Sequence, residues 1–233
     1  NTAATAPIAA EYRPFIAGNG GLVVFATGNE SKADPSSMAA LPSQPGAGGT
    51  RPAADLERGW LAVTAVDTVQ STVLASYANA CGVAASYCLA APGSAVYPDP
   101  QGGSSYYWNS GTSFAAPLVS GAAALVWQKY PYLSNDQVRQ TLLGTATDIG
   151  APGVDAVFGH GLLNVGKAVQ GPGRFDWGDM VVTVGQTGLD SVWGNAISGD
   201  GGLVKRGAGA LGLSGANTYA GATRIERGTL ALR

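Results

Sequence analysis

SGTSFAAP at residues 110–117 marks the point where a glycine-rich stretch gives way to a long apolar run. From Ser113 to Tyr130 the residues are small and apolar almost all round, which is typical of a helix buried at the centre of a domain. Pro131 ends the run, because proline does not continue a helix. We therefore predict a buried central helix that begins beside Ser113.

Short β-branched and apolar runs precede this helix. Residues 21–29 (GLVVFATGN) and 60–66 (WLAVTAV) predict two buried strands, and a third short strand is expected around 89–91. Two stretches, 31–58 and 93–111, are rich in small and turn-forming residues without periodicity and predict loops.

A second helix is predicted after the central one. Ser134 and Gln137 have the spacing of a capping box, and Val138, Leu142 and Leu143 fall on one face of the helix that it would open. Strands that alternate with helices indicate an α/β fold with a mostly parallel sheet.

The composition excludes several classes of protein. The 233 residues include 13 Lys or Arg and 15 Asp or Glu, a formal net charge of −2, so no basic excess is available to neutralise nucleic-acid phosphates. Hydrophobic residues make up 45% and charged residues 12%, which is the opposite of a disordered chain. No apolar run approaches the roughly 20 residues that span a bilayer. We expect a folded chain that does not bind nucleic acid.

The composition and periodicity of the sequence change after Gly171-Pro172-Gly173. From Gly201 onward the side chains alternate with a period of two, and glycines recur at turn positions. One phase holds Leu203, Lys205, Leu211, Leu213, Asn217, Tyr219, Thr223 and Ile225. This pattern is typical of short strands in one coil of a β-solenoid, which needs stacked neighbours to bury its face.

Ser113 is a candidate nucleophile because a loop delivers it to the start of a helix. The unpaired N–H groups and partial positive charge at a helix N-terminus stabilise an oxyanion. The alternative is that Ser113 only caps the helix, which is the commoner role of serine in this place.

Asn29 is a candidate oxyanion donor because it follows a predicted strand in the segment FATGNE, residues 25–30. Sites in α/β proteins lie at the carboxyl ends of strands, and an asparagine amide is a suitable donor to an oxyanion. The alternative is that Gly28-Asn29 is simply a turn.

The two cysteines, Cys81 and Cys88, lie in the short segment CGVAASYC. Both a disulfide and a pair of buried free thiols are compatible with this spacing. A metal site is disfavoured because the single histidine is distant in sequence and structural zinc needs four ligands. We expect no metal and no cofactor.

Taken together, GTSFAAP and the upstream FATGNE resemble the subtilases, the subtilisin-like serine proteases. The resemblance continues through AAPG at residues 90–93 and through FGHGLLN at 158–164. It implies a subtilisin-like parallel-sheet sandwich with Ser113 as acyl nucleophile. The side chain of Asn29 and the N–H of Ser113 would bind the oxyanion, and no cofactor would be needed.

The same resemblance suggests a binding pocket and a preference. Ala26, Thr27 and Gly28 would line the base of the pocket for the residue before the scissile bond. These are small residues, and the segment around Ser113 carries no charge, so an uncharged residue is expected there.

Two features narrow the resemblance to the autotransporter subtilases of Gram-negative bacteria. They are the cysteine pair before APG and the tail GALGLSGANTYAGATRIERGTLAL, which resembles the passenger-associated repeat. This implies a disulfide between Cys81 and Cys88, a protease part at residues 1–170 and a linker with the first β-helical repeat at 171–233. It also implies a protein secreted through the periplasm to the cell surface or medium, with an outer-membrane translocator domain in the parent protein.

The chain departs from the family pattern in the catalytic triad. Such proteases need Asp, His and Ser, and the first two belong before Asn29, where this chain has no histidine. The sole histidine, His160, lies in the FGHGLLN element, which does not supply the base, and is expected to be structural. The N-terminal half of the protease domain is therefore the expected partner. The chain would be a fragment, a cleavage product still docked to its other half, or a catalytically empty domain.

We expect the parent to be a secreted serine endopeptidase that cleaves protein or peptide substrates. The alternatives are an inactive protease-fold spacer in an adhesive passenger, and a lipase or esterase. The last is disfavoured because its nucleophile would lie in a GxSxG elbow, which the segment around Ser113 is not.

Overall fold

A computed structural model describes residues 2–185 and 191–233 of the chain. The chain forms two compact units. The first comprises Asn1–Gly121 and Thr147–Leu163, and the second comprises Ala122–Ala146 and Asn164–Arg233. The domain boundary at residue 170 stays a prediction.

A parallel sheet of three strands organises the first unit. The strands are β1 (Val23–Ala26), β2 (Trp60–Val66) and β3 (Cys88–Pro92), in the order β1-β2-β3. All three were predicted from their apolar runs. Every residue of β2 is buried, whereas β1 is only half-buried and, among the described residues, pairs with β2 alone.

Helical segments pack around this sheet. They are α1 (Thr2–Arg13), a π-helical turn (Pro14–Gly18) and four short 3₁₀ helices (Leu41–Ser43, Ala47–Gly49, Ala54–Gly59 and Gly82–Tyr87). The fully buried Trp60 stacks on Phe25, with ring centroids 5.2 Å apart, and meets Tyr12 edge-on at 5.0 Å. The Arg13 guanidinium bonds to Asp55 and thereby lowers the pKa of that carboxyl.

A β-hairpin occupies the stretch 93–111, so the prediction of a loop there is wrong. It consists of β4 (Ser94–Pro98) and β5 (Tyr106–Ser110), which pair antiparallel. Aromatic residues favour strands, but both faces of β5 are exposed. Without a buried face the sequence carries no alternation that could indicate the hairpin.

The central helix α2 spans Thr112–Lys129. Val119 and Val126 are fully buried, whereas Leu118 and Leu125 are 46% and 47% exposed. The helix is therefore confirmed, and its predicted burial on every side is wrong. One face of the helix remains uncovered by the part of the chain that the structure describes.

Two further helices lie in the second unit. They are α3 (Asn135–Thr145) and the single turn α4 (Val165–Ala168). Ser134 caps α3 as predicted, because its hydroxyl accepts the Gln137 N–H while the Gln137 side chain accepts the Ser134 N–H. The predicted apolar face of α3 is buried.

Six short strands complete the second unit. They are β6 (Met180–Thr183), β7 (Ser191–Trp193), β8 (Leu203–Arg206), β9 (Ala210–Leu213), β10 (Thr223–Ile225) and β11 (Thr229–Leu232). They form two parallel sheets, in the orders β10-β8-β6 and β11-β9-β7. Successive pairs of strands thus alternate between two sheets, and each pair adds one strand to each sheet.

Lys205 of β8 is completely buried. Its ammonium group donates to the carbonyl oxygens of Gly207, Gly209 and Arg227. The burial lowers the pKa of Lys205. A buried charge of this kind is tolerated because hydrogen bonds to oxygen replace its lost hydration.

Cys81 and Cys88 form a disulfide, which confirms the pairing that the resemblance implied. Both residues are fully buried in the core of the first unit.

In the described ranges, none of the helices has the length and apolar character needed to cross a membrane.

Candidate active site

The candidate nucleophile lies in the first turn of α2. Gly111 precedes the helix, and Ser113 is its second residue and is exposed. The first N–H groups of an α-helix have no acceptor within the helix. The Ser113 N–H is therefore available to a bound group, and the helix dipole adds a partial positive charge at this end.

Asn29 reaches this helix from the end of β1. Its side-chain Oδ1 accepts the Thr112 N–H at 2.8 Å and the Thr112 hydroxyl at 2.9 Å. A backbone N–H can only donate, so the oxygen of the carboxamide must face Thr112. Asn29 is itself exposed, and the described chain offers no acceptor to its Nδ2 group. That amide is therefore a free donor beside Ser113.

Thr112 links the two candidate residues. It is fully buried, and its hydroxyl accepts the Gly28 N–H at 3.2 Å while donating to Asn29 Oδ1. One side chain thus fixes both the backbone before Asn29 and the orientation of its carboxamide. This role of Thr112 was not predicted from the sequence, although Thr112 is adjacent to the candidate nucleophile.

The three predicted pocket residues, Ala26, Thr27 and Gly28, differ in how far they are buried. Ala26 and Gly28 are half-buried, whereas Thr27 is fully buried, with its hydroxyl donating to Asn79 O at 2.9 Å. The Thr27 side chain is therefore committed to the scaffold. Gly28 has a φ of +115°, a backbone conformation that favours glycine.

His160 lies at the opposite end of the sheet from Ser113. Its N–H donates to Cys88 O at 2.9 Å, at the start of β3, and its Nε2 lies 3.1 Å from Ser86 O. The end of β3 is followed by Gly93, whose carbonyl accepts the Gly111 N–H at 2.8 Å. Four residues of strand correspond to about 13 Å. His160 is thus too distant to act as the base.

The hairpin of β4 and β5 flanks the nucleophile and was not foreseen as structure. Tyr97 stacks on Phe114, the residue after Ser113, with ring centroids 5.9 Å apart. The cross-strand pair Val96 and Trp108 is 59% and 63% exposed. An apolar surface therefore stands open beside the candidate site.

Tyr77 contacts Gly93, the residue that precedes the first strand of this hairpin. Its hydroxyl donates to Gly93 O at 2.7 Å, and burial raises its pKa. The phenol therefore remains a neutral donor at neutral pH.

In the described ranges, no group of three or more His, Cys, Asp or Glu residues could hold a metal ion.

A family model described as "Subtilase family" matches residues 4–161. The chain belongs to the subtilase family. A second model, "Passenger-associated-transport-repeat", matches residues 203–232. The chain thus joins subtilase sequence to a passenger-associated repeat, as the resemblance implied.

Relatives among known proteins share both parts. The chain is 42% identical over 224 residues to the Neisserial autotransporter lipoprotein NalP of Neisseria meningitidis serogroup B, a match that covers 91% of this chain and 20% of the relative. It is 32% identical to an extracellular serine protease of Serratia marcescens, over 92% of this chain and 25% of the relative. This subtilase chain therefore spans about a fifth to a quarter of the length of such relatives.

A solved structure also resembles the fold. The self-cleaved protease domain of PatA matches 69% of this chain and 53% of its own, with a TM-score of 0.52 and 28% identity. The subtilisin-like α/β fold with a parallel sheet agrees with this likeness.

Proposed function

We propose that this chain carries the nucleophile and the oxyanion donors of a secreted serine endopeptidase. The observation that carries the proposal is the contact of Asn29 Oδ1 with Thr112, which leaves the Asn29 amide free beside Ser113. A free side-chain amide next to a serine at a helix N-terminus is the arrangement that acyl transfer requires.

The chemistry proceeds through an acyl-enzyme. Ser113 Oγ forms a bond to the carbonyl carbon of the scissile peptide and gives its proton to a histidine base. The resulting oxyanion accepts hydrogen bonds from Asn29 Nδ2 and the Ser113 N–H. The tetrahedral intermediate collapses with cleavage of the C–N bond, and the amine leaves with the proton from the histidine. Water, which gives its proton to the same histidine, then attacks the ester carbonyl, and the C–Oγ bond breaks to return Ser113 and release the acid. Both donors act mainly on the tetrahedral state, so they lower the barrier rather than tighten substrate binding.

The histidine and the aspartate of the triad come from polypeptide outside this chain. We infer that this companion is the N-terminal half of the same protease domain. Three features of the first unit support the presence of a surface to which this companion polypeptide binds. One edge of β1 has no partner strand in the described residues, Val96 and Trp108 are exposed on the hairpin, and Leu118 of α2 is half exposed. Open strand edges and apolar patches of this kind favour a covering partner.

The small residues Ala26 and Gly28 support a pocket that accepts an uncharged residue before the scissile bond. In a peptide library scanned at that position, we expect aliphatic or aromatic residues to give the highest kcat/KM. A preference for Arg or Lys would contradict this assignment. Thr27 would support the pocket through its backbone, since its side chain is buried.

The second unit supports a role as the start of a passenger stalk. Its strand pairs add one strand each to two parallel sheets, and this supports the proposal of stacked coils in a β-solenoid. The relatives are autotransporter or extracellular proteins, and this protein is secreted or displayed at the cell surface. We propose that the parent protein carries an outer-membrane translocator domain.

An inactive spacer is the second candidate function. It is favoured by one observation, which is that the described chain provides no base near Ser113. The two candidates differ in whether Ser113 can be activated, because serine is a weak nucleophile without an adjacent base.

Fluorophosphonate labelling followed by peptide mapping tests the proposal. We expect the label on Ser113 when the chain is co-purified with the polypeptide that precedes it in the parent protein. The same preparation with Ser113→Ala should take up none. A folded, complete preparation that is not labelled at Ser113 would leave the inactive spacer as the function.

A further inference from the structure

Asn79 is a buried residue that uses all of its hydrogen-bonding groups. It is 1% exposed, and it lies in the loop between β2 and β3. Its Nδ2 donates to Thr27 O at 3.2 Å and to Glu30 Oε2 at 2.7 Å. Its Oδ1 accepts the N–H groups of Glu30 at 2.9 Å and Lys32 at 3.0 Å. Every side-chain bond of Asn79 is therefore made to the segment around Asn29.

The backbone of Asn79 extends the same contact. Its N–H donates to Gly28 O at 2.9 Å, and its carbonyl accepts the Thr27 hydroxyl at 2.9 Å. The partners of Asn79 thus lie on both sides of Asn29 in sequence. Asn79 makes no hydrogen bond to Asn29 in the described chain. The Asn29 side chain accepts the Thr112 N–H instead.

Gly28 shows how closely the two segments approach. A Cβ at this position would lie 2.6 Å from Asn79 Nδ2 and 2.7 Å from Glu30 Oε2. Because its φ is also positive, the bend before Asn29 depends on glycine and on the carboxamide packed against it. The bend sets where the Asn29 side chain begins.

An asparagine is suited to this place by its chemistry. A carboxamide accepts two hydrogen bonds at oxygen and donates two at nitrogen, and Asn79 makes all four. Aspartate would lose both donors and place a carboxylate against Glu30. Buried networks in which every group is satisfied are rigid, and partly satisfied ones are costly.

We propose that Asn79 is a positioning residue for the oxyanion donor Asn29. It holds the backbone of residues 27–32, while Thr112 holds the carboxamide of Asn29. The inference rests on the proposed function, because it assigns Asn79 a role in the same oxyanion site. Asn79 lies 49 positions after Glu30 in the sequence, so the inference adds a distant residue to the site.

The test is a double-mutant cycle in the complete protease, with rates normalised to titrated active sites. We expect Asn79→Asp to lower kcat by about 10- to 100-fold with little change in KM, since a small displacement of a catalytic group has effects of this size. In the Asn29→Ala background the same change should have almost no further effect on kcat. Non-additivity of this kind indicates that two residues act as a unit.

Thr64→Val is the matched control for stability. The Thr64 hydroxyl donates only to Asn79 O, at 2.7 Å, so the variant loses a buried bond to the same residue without touching residues 28–32. We expect lower stability and an unchanged kcat per titrated site. Glu30→Ala is a second test that does not endanger the fold, because Glu30 is exposed. Its smaller loss in kcat should also vanish in the Asn29→Ala background.

The outcomes separate this inference from the function on which it rests. A complete wild-type protease without activity would overturn the proposed function. An active wild type in which Asn79→Asp and Glu30→Ala keep full kcat would overturn the positioning role alone. Equal losses in the presence and absence of the Asn29 amide would also overturn it, because they would reflect general destabilisation.

Discussion

Replacement of Ser113 by alanine in the complete protease is expected to lower kcat by about 10⁶-fold, the loss recorded for the nucleophile of a subtilisin. The variant keeps the helix N-terminus and the Asn29 amide, so substrate should still bind with a similar KM. What disappears is the atom that forms the acyl-enzyme. Hydrolysis of a peptide substrate, measured against titrated wild-type sites, checks the size of the loss.

Ser120→Ala is the matched control for this prediction. Ser120 lies on the same helix and is exposed, and its hydroxyl donates to Ala116 O at 3.2 Å. We expect it to leave kcat unchanged. A Ser113→Ala enzyme that retained most of its activity would show that another residue forms the covalent intermediate.

The two candidate catalytic residues predicted from the sequence share a simple property. Ser113 and Asn29 each stand where a regular element meets a loop, and each lies in a motif that can be recognised over a few residues. The strands β1, β2 and β3 and the helices α2 and α3 were also predictable, because their buried faces impose apolar runs or periodic spacing. The helix α1 (Thr2–Arg13) was not predicted. The capping box at Ser134 is a local pattern and was confirmed as such.

The residues that support the site could not be identified in this way. Thr112 contacts a residue 83 positions earlier, and Asn79 contacts one 49 positions earlier. Only the packing of β1, β2 and β3 brings these segments together, and a single sequence does not specify such pairs. An asparagine in a loop has many uses as a turn former, so nothing distinguishes Asn79 before the fold is known.

Exposure accounts for the errors at the hairpin and at α2. Strand β5 is exposed on both faces, so its sequence shows no alternation that could indicate the hairpin. The helix α2 is apolar all round, yet Leu118 and Leu125 are half exposed. An apolar sequence indicates that a face will be covered but does not say by which polypeptide. The open face of α2 and the missing base are both consistent with a companion that completes the protease.

Asn29→Ala is expected to reduce kcat by about 10²–10³-fold, the loss recorded when an oxyanion-hole donor is removed from a subtilisin. KM should change little, because the amide meets the oxyanion rather than the ground-state carbonyl. Thr112→Val should act on the same step more weakly. It leaves the Thr112 N–H on Asn29 Oδ1 but removes the hydroxyl that fixes both Asn29 and Gly28. Of the two hydrogen bonds that the hydroxyl makes, the one to Asn29 Oδ1 orients the amide, and the loss of one hydrogen bond corresponds to about tenfold.

Thr112→Ser is the matched control, since it keeps the hydroxyl and loses only a methyl group. We expect its kcat to stay close to that of the wild type. The double variant Asn29→Ala with Thr112→Val should be no slower than Asn29→Ala alone, because the hydroxyl acts through the amide that is no longer there. A further loss in the double variant would mean that Thr112 supports Ser113 directly. An effect on KM rather than kcat would place Asn29 in substrate binding instead of oxyanion stabilisation.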